Sequence, residues 1–532
     1  MKRIVVLLLL LLCLFGDNSI ACFHKTVHIK DFANNGDDVT TLLQWLVDRY
    51  DIIIIDEGIW YISEGIRLHS NIIIKGLGAS KSVIKRNDNH NLQGGMLFYT
   101  ELLNPDVYVN RNRNDEYKRS KIRYHNISIE DLTIDMNRRP GRYTEQELKS
   151  KNLYAIALIK TKDAGVLNCR FVDAMTPDYN NGYPAVVVYQ SRDIALENNR
   201  VDNISFLQAI YSRRVRIDNN LINSSVNTAI ETIGGGEHII TQNIIHRVFW
   251  SVSCIGINSV SCMVSSNHVS SSKKNISCIT LGHEGEMTTA NKTIVDNNEF
   301  SSDGCRAILI QNGNNVTISN NNCKCVITSS SSELSSGCIV ASGQSENIKN
   351  LVISHNSLVA LGEVGYGCIT YRGSGILRVS NNLIDSKRGI SVFAGKDTKV
   401  IITSNTIHST MYSIQANCQS LTIEENNLSD GIITSAPEIS IRGNQIQYTS
   451  NHSYLGTKWE RIKIQDNVFS SFSGKEFPYA FMLNASEKSD VFNAGNVIIK
   501  NNSVNVKSIR RIMSISGTGN SPQLERLNSD LR

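Results

Sequence analysis

An asparagine followed within two or three residues by an apolar residue recurs along most of this chain, and the recurrence limits what the chain can fold into. The anchors are Asn199 (NRV), Asn220 (NLI), Asn243 (NII), Asn267 (NHV), Asn298 (NEF), Asn322 (NCKC), Asn356 (NSL), Asn382 (NLI), Asn405 (NTI), Asn426 (NNL), Asn444 (NQI) and Asn467 (NVF). Eleven intervals cover the 268 residues from 199 to 467, about 24 residues per repeat. Each repeat holds short apolar runs and turns without helix-length periodicity, as in RAILIQNGNNVTISNNN from 306. One unit of that size cannot bury its inner face alone, so the repeats must stack on one another.

The pattern resembles the right-handed parallel β-helix of the pectin-lyase-like superfamily, over nearly the whole chain after residue 21. The resemblance implies an all-β solenoid with one rung per repeat of about 24 residues. Asparagine at a repeated turn suits such a fold, because stacked amides hydrogen-bond to one another and Asn tolerates turn backbone angles. With strands about 4.8 Å apart, eleven intervals build a column on the order of 50 Å long. IKDFANNGDDVTTLLQWLVDRYDIIIIDEGIWYISEGIRLHSNIIIKGLG, from Ile29, resembles the N-terminal cap of this superfamily. Asp37-Asp38-Val39-Thr40 can start a short helix whose Leu42, Leu43, Leu46 and Val47 cover the open end of the solenoid. A cap of that kind keeps the first rung from pairing with another edge.

A second regularity comes from one strand of each rung: AIALI (155), AIYSR (209), AIETI (229), CIGIN (254), CITLG (278), AILIQ (307), CIVAS (338) and CITYR (368). The first position is Ala or Cys and the second is Ile. Cys254, Cys278, Cys338 and Cys368 therefore read as small apolar residues inside a tight corner rather than as a disulfide framework. Cys323 and Cys325 form only a C-x-C pair, with no second pair at zinc spacing, and no metal site is assigned.

Lys2 and Arg3 precede an apolar block from Ile4 to Phe15, and Ser19-Ile20-Ala21 precedes Cys22. This is the layout of an export signal over residues 1–21, too short to span a bilayer as a helix. It places the protein outside the cell or in the cell envelope. Cleavage after Ala21 leaves Cys22 first, so membrane attachment requires lipid modification of Cys22. Residues 22–85 then form the cap and first rungs, 86–510 the β-helix, and 511–532 a polar tail. The net charge of +5 on 532 residues makes no case for nucleic acid. The basic run RNRNDEYKRSKIR at 111–123 reads as a solvated loop.

The stretch AIETIGGGEHIITQN, 229–243, sets Glu231 just ahead of three glycines. If Ile230 and Thr232 point inward, strand alternation turns Glu231 outward. The aligned strands then put Tyr211, Glu231, Gly256 and Thr280 in one outward column, and Arg213, Ile233, Asn258 and Gly282 in the next. Glycines 234–236 and 256 form an open floor on which a sugar chain can lie, with Tyr179 and Trp250 as stacking walls. Two long loops flank this region, VDAMTPDYNNGYP (172–184) and GHEGEMTTANK (282–292), and bring Asp178, His283, Glu284 and Glu286 toward it. The plain alternative makes Glu231 a surface residue on one more rung.

Glycosidic hydrolysis needs a protonated acid and a second carboxylate, which Glu231 with Glu284, Glu286 or Asp178 can supply. This is the leading expectation: an exported enzyme that cleaves a polysaccharide and needs no cofactor. Elimination on a uronate-containing glycan would instead use a base and a cation, drawn from Arg213, Arg214, Tyr211 and His283. A metal-assisted form would hold calcium on acids such as Glu284 and Glu286. A third expectation is a non-catalytic glycan-binding or adhesin-like β-helix. Gly282-His283-Glu284-Gly285 and Arg461-Ile462-Lys463 resemble two of the four polygalacturonase motifs, but they lie many rungs apart and no paired Asp precedes His283. Oligomeric state is left open.

Overall fold

The computed structural model describes residues 25–87, 97–102, 121–137, 154–172, 184–223, 228–246, 253–271, 276–282, 289–304, 306–327, 336–342, 348–362, 366–395, 397–449, 453–456, 460–471, 476–477, 480–484, 497–504 and 513–516. Among them, 49 strands join into one sheet whose rung-to-rung pairings are parallel. Each turn of the chain lays down three strands. Leu207–Asp218 bends through the first two, Leu221–Asn223 is the third, and the chain regains the first sheet at Ile230. The coil is right-handed, the hand that parallel crossovers take. Pairing continues as far as Met513–Ser516 against Phe481–Asn484.

Alternation sorts the side chains. In the strand Leu207–Asp218, Val215 and Ile217 point into the solenoid and are fully buried, while Arg214 and Arg216 stay exposed. Repeated rung after rung, the inward set of Ile, Val and Leu makes one continuous core along the axis.

The recurring asparagines line one inner corner between the second and third sheets. The Asn199 side-chain amide donates to Oδ1 of Asn220 at 3.0 Å, Asn220 to Asn243 at 2.9 Å and Asn243 to Asn267 at 2.9 Å. The series runs without a break through Asn298, Asn321, Asn356, Asn382, Asn405, Asn426, Asn444 and Asn467 to Asn502. Each Oδ1 also accepts the backbone N–H of the preceding asparagine, as Asn267 Oδ1 does from Asn243 at 3.0 Å. Each amide reaches a carbonyl of the rung behind, as Asn298 Nδ2 does to Val264 at 2.9 Å. The steps span 18 to 35 residues. In one rung the anchor is Asn321, not Asn322: Asn322 starts the next strand and faces solvent.

The residue before each ladder asparagine has a left-handed backbone: Asn198 φ 57°, Asn219 φ 53°, Gln242 φ 55°, Ser266 φ 55°, and onward to Asn501 φ 56°. That conformation turns the chain through the corner and aims the next side chain inward. Asn adopts it at least cost among residues with a Cβ, which is why Asn-Asn pairs recur here.

On the first sheet, Ile156, Val186, Leu207, Ile230, Ile255, Ile279, Ile308, Ile339 and Ile369 form one inward column. The preceding residue is Ala155, Ala185, Ala229, Cys254, Cys278, Ala307, Cys338 or Cys368, with Phe206 as the exception. The position is tight because it faces the backbone of the third sheet: Cys278 Sγ lies 3.4 Å from the Ser301 carbonyl and Cys338 Sγ 3.3 Å from that of Val359. All nine described cysteines, Cys323 and Cys325 included, are buried and unbridged. Burial pushes the Cys254 thiol up to about 12, so it behaves as a small apolar residue.

AIYSR does not hold this slot. The register sets Phe206-Leu207-Gln208 against Ala229-Ile230-Glu231, while Ala209 and Ile210 lie opposite Thr232 and Ile233. The spacing to the ladder shows why: Val186, Leu207 and Ile230 each stand thirteen residues ahead of Asn199, Asn220 and Asn243.

The cap is an α-helix, Thr40–Val47, placed over the first rung. Asp38 Oδ1 accepts from Thr40 N at 3.1 Å and Thr40 Oγ1 at 2.6 Å, fixing the start of the helix. Leu43, Leu46 and Val47 are buried and Leu42 packs partly against the core. Among the described residues no helix is long and apolar enough to cross a membrane. Residues 1–21 and Cys22 lie outside the described residues.

Candidate functional site

The outer face of the first sheet carries the chemistry around Glu231. In register, its column reads Gln208, Glu231, Gly256, Thr280 and Leu309. Gln208 Nε2 donates to Glu231 Oε2 at 2.7 Å. An amide N–H2 can only donate, so Gln208 fixes the orientation of the carboxyl group. Glu231 is half-buried. On the next rung, a Cβ added to Gly256 would sit 3.6 Å from Glu231 Cγ, which is ordinary contact distance. Gly256 is buried, and the same Cβ would also lie 3.6 Å from Thr228 Cγ2 and 3.7 Å from Ser253 Oγ, so the missing side chain leaves a recess the size of one methyl group beside the carboxylate.

The neighbouring outward column adds Ser253, Ser277 and Arg306. Arg306 Nε donates to Ser277 Oγ at 2.9 Å, which anchors a guanidinium on the same face, three strands beyond Glu231. Neither Gln208 nor Arg306 stood out in the sequence. The thirteen-residue spacing to the asparagine ladder is the signal that brings Gln208 beside Glu231.

The three consecutive glycines are not an open floor. Gly234, Gly235 and Gly236 are buried at the bend between the first and second sheets. A Cβ on Gly235, whose φ is +72°, would lie 1.9 Å from the Ser212 carbonyl oxygen, and one on Gly236 2.3 Å from that of Val260. The glycines let two rungs approach at a bulge in the register between Ile233 and Gly236.

Tyr211 and Arg213 are also reassigned. Tyr211 is only 2% exposed and φ 48°, out of the Glu231 column because of the register above. It packs edge-on to Tyr189, centroids 6.2 Å apart, in a small apolar cluster with Tyr154, Ile159, Ile210 and Ile233. Arg213 lies past the bend, in register with Gly236, and pairs with Glu237. Arg214 holds Asp193 through two hydrogen bonds, Nε at 2.5 Å and Nη2 at 2.7 Å. The Arg214 guanidinium keeps the Asp193 carboxyl below its usual range, and Arg213 does the same for Glu237. These four charges tie neighbouring rungs together at the bend.

Asn258 follows Ile233 in register and is 7% exposed, so it is part of the sheet wall. Asp178, Tyr179, Trp250, His283, Glu284 and Glu286 lie outside the described residues. Gly282, the last described residue before the 283–288 segment, ends the strand that carries Thr280. Arg461 and Lys463 face solvent on the second sheet, in register with Glu438 and Ser440, and so are not on the face that carries Glu231. Among the described residues no group of three His, Cys, Asp or Glu side chains is placed to hold a metal ion.

Beneath the bend, His238 is fully buried between the rungs. Its Nδ1 accepts the Val215 backbone N–H at 3.3 Å, so the imidazole is neutral with its proton on Nε2. Burial pushes it down to about 4, against the pull of the Gly234 carbonyl and the Glu237 charge.

No family model and no curated protein matches the chain. Among solved structures, the N-terminal fragment of bacteriophage Phi29 gene product 12 superposes with TM-score 0.48 at 12% identity, covering 97% of this chain and 96% of that one. A DFA-IIIase from Arthrobacter chlorophenolicus A6 gives TM-score 0.46 at 11% identity, covering 72% and 94%. A PL6 alginate lyase in complex with a trisaccharide gives 0.44 at 12%, covering 72% and 85%. Nothing about this chain's chemistry follows from likenesses at that level. Its own strand pairings and corner ladder define the fold: a right-handed parallel β-helix.

Proposed function

We propose that this protein cleaves glycosidic bonds in a polysaccharide bound along the outer face of the first sheet, with Glu231 as an acid or base. The observation that carries the reading is the recess at Gly256 beside a carboxylate oriented by Gln208. Hydrolysis needs a second carboxyl group across the bond, and none stands in the described columns beside Glu231. Glu284, Glu286 and Asp178, on the flanking segments, are the candidates for it. A second reading, elimination on a uronate-containing chain, is favoured by Arg306, which offers a cation on the same face for the carboxylate that carries charge in that reaction.

The test is incubation of the protein and a Glu231→Gln variant with acidic and neutral polysaccharides, following new reducing ends and the ultraviolet absorbance of an unsaturated uronate. Reducing ends alone mean hydrolysis, and both signals mean elimination. Glu231→Gln is expected to lower the rate by roughly a hundredfold or more. Full activity in that variant removes Glu231 from the mechanism, and binding without cleavage across the panel makes the protein a glycan-binding β-helix.

A further inference from the structure

Five strands beyond Glu231, on the order of 25 Å along the same face, the first sheet carries a second group of side chains. The rungs Ile369–Tyr371, Leu383–Phe393 and Thr406–Asn417 are in register through Thr370, Ser391 and Gln415. Tyr371, Val392 and Ala416 point inward, so Arg372, Phe393 and Asn417 form the next outward column. Tyr366 reaches this column from one side, its ring centroid 4.6 Å from that of Phe393 at 59°. The Arg372 guanidinium lies 4.8 Å from the Tyr366 ring and 5.7 Å from the Phe393 ring.

Arg372 differs from five arginines of the earlier rungs. Arg170, Arg200, Arg213, Arg214 and Arg216 all pair with carboxylates. The side-chain contacts described for Arg372 are the two rings, and among the described residues no carboxylate pairs with it. It is half-buried, and among the described residues this cation on the sheet face rests against ring electrons. Stacking limits the rotamers of the side chain and leaves the edge of the guanidinium plane for a ligand, and that edge matches a carboxylate through two parallel N–H donors. Gln415 and Asn417 place two amides on the following rung, suited to hydroxyl groups.

We propose that Arg372, stacked on Tyr366 and Phe393, is a binding subsite for the carboxylate of a uronate residue in an acidic glycan chain that runs along the first sheet. The proposal rests on the glycan reading of that face, but its test reads binding rather than cleavage. Titration calorimetry on the full chain carrying Glu231→Gln, which prevents turnover, uses three probes: an oligogalacturonate, an oligomannuronate and a neutral xylo-oligosaccharide. At least one acidic probe is expected to bind more tightly than the neutral one. Adding Arg372→Ala is expected to weaken it about tenfold or more, the loss of one charge-assisted pair. Arg372→Lys, which keeps the charge without the fork, is expected to recover part of that loss and serves as the folding control. Unchanged acidic affinity in Arg372→Ala, equal binding of the acidic and neutral probes, or no binding of any probe overturns the subsite. Failure of the Glu231 assignment appears separately, as undiminished cleavage by the Glu231→Gln protein.

Discussion

The inner asparagine corner and the outer face around Glu231 belong to the same rungs but are built in opposite ways. At the corner every rung from Asn199 to Asn467 repeats one arrangement: a left-handed residue, then an asparagine whose amide bonds forward and back. On the outer face, Gln208, Glu231, Gly256, Thr280 and Leu309 occupy equivalent positions with five different side chains. A buried polar group must find the same partner in every turn, so uniformity at the corner is a requirement of burial. The outward column has no ladder to continue: Gln208, Thr280 and Leu309 are buried and Glu231 half-buried, yet each differs from its neighbour in the next rung. Departures from repetition there mark where chemistry is free to vary.

The glycines test this contrast most sharply. Gly235→Ala drives a Cβ into the Ser212 carbonyl at a backbone angle that side chains disfavour, and is expected to cost at least about 4 kcal/mol, read from urea unfolding. Asn298→Ala, at the corner, removes the acceptor for the Asn267 backbone and side-chain amides and the donor to Val264. With the Asn321 acceptor, four buried groups lose a partner, and about 4 kcal/mol is expected. A loss below about 1 kcal/mol would mean that the ladder is an ornament of the fold rather than its support.

His238 supplies a pH dependence. Folded, burial holds it down to about 4, below the 6.5 of an unperturbed histidine. Between those values the unfolded chain takes up a proton that the folded chain refuses. Stability from this residue is therefore complete above about pH 6.5 and is lost as pH falls through about 4, on the order of 3 kcal/mol in all. His238→Gln, which keeps an acceptor for Val215, is expected to flatten that slope, measured by urea unfolding between pH 7 and about 4.

Gly256→Ala is expected to behave in the opposite way to Gly235→Ala. Its Cβ meets Glu231, Thr228 and Ser253 at ordinary contact distance, so stability should change by less than about 1 kcal/mol, while the filled recess beside Glu231 lowers polysaccharide cleavage at least about tenfold. The smallest effect is expected from Glu425→Gly, which relieves a left-handed residue at φ 57° ahead of Asn426 and should raise stability by about 0.5 kcal/mol.

The corner was legible in the sequence because a buried amide has few substitutes. The anchors could be counted directly, apart from Asn322, where three consecutive asparagines hide which one points inward. The cap helix was legible from Asp38, Thr40 and the leucines that follow. Register on the first sheet was less so. Ala209-Ile210 copies the side chains of Ala229-Ile230 but sits two positions past the Phe206-Leu207 pair that occupies the slot. Ala209 belongs to the core and Ile210 to the outward apolar cluster, a placement that residue type alone does not reveal. The glycine run misled for a related reason: in sequence, absence of a side chain marks a floor and a close approach alike, and only the Ser212 and Val260 carbonyls distinguish them.

The asparagine ladder also has a mechanical consequence. All its amides point the same way along the axis, each from one turn to the next, so the corner is a zipper with a direction. A chain pulled from its last rungs, at Asn502, breaks the bonds of one turn before those of the turn behind it carry load. Each release frees the 18 to 35 residues of one step, about 60 to 120 Å of extended chain. Under tension the molecule pays out in measured lengths, and the longest belong to the turns whose loops carry the most extra sequence.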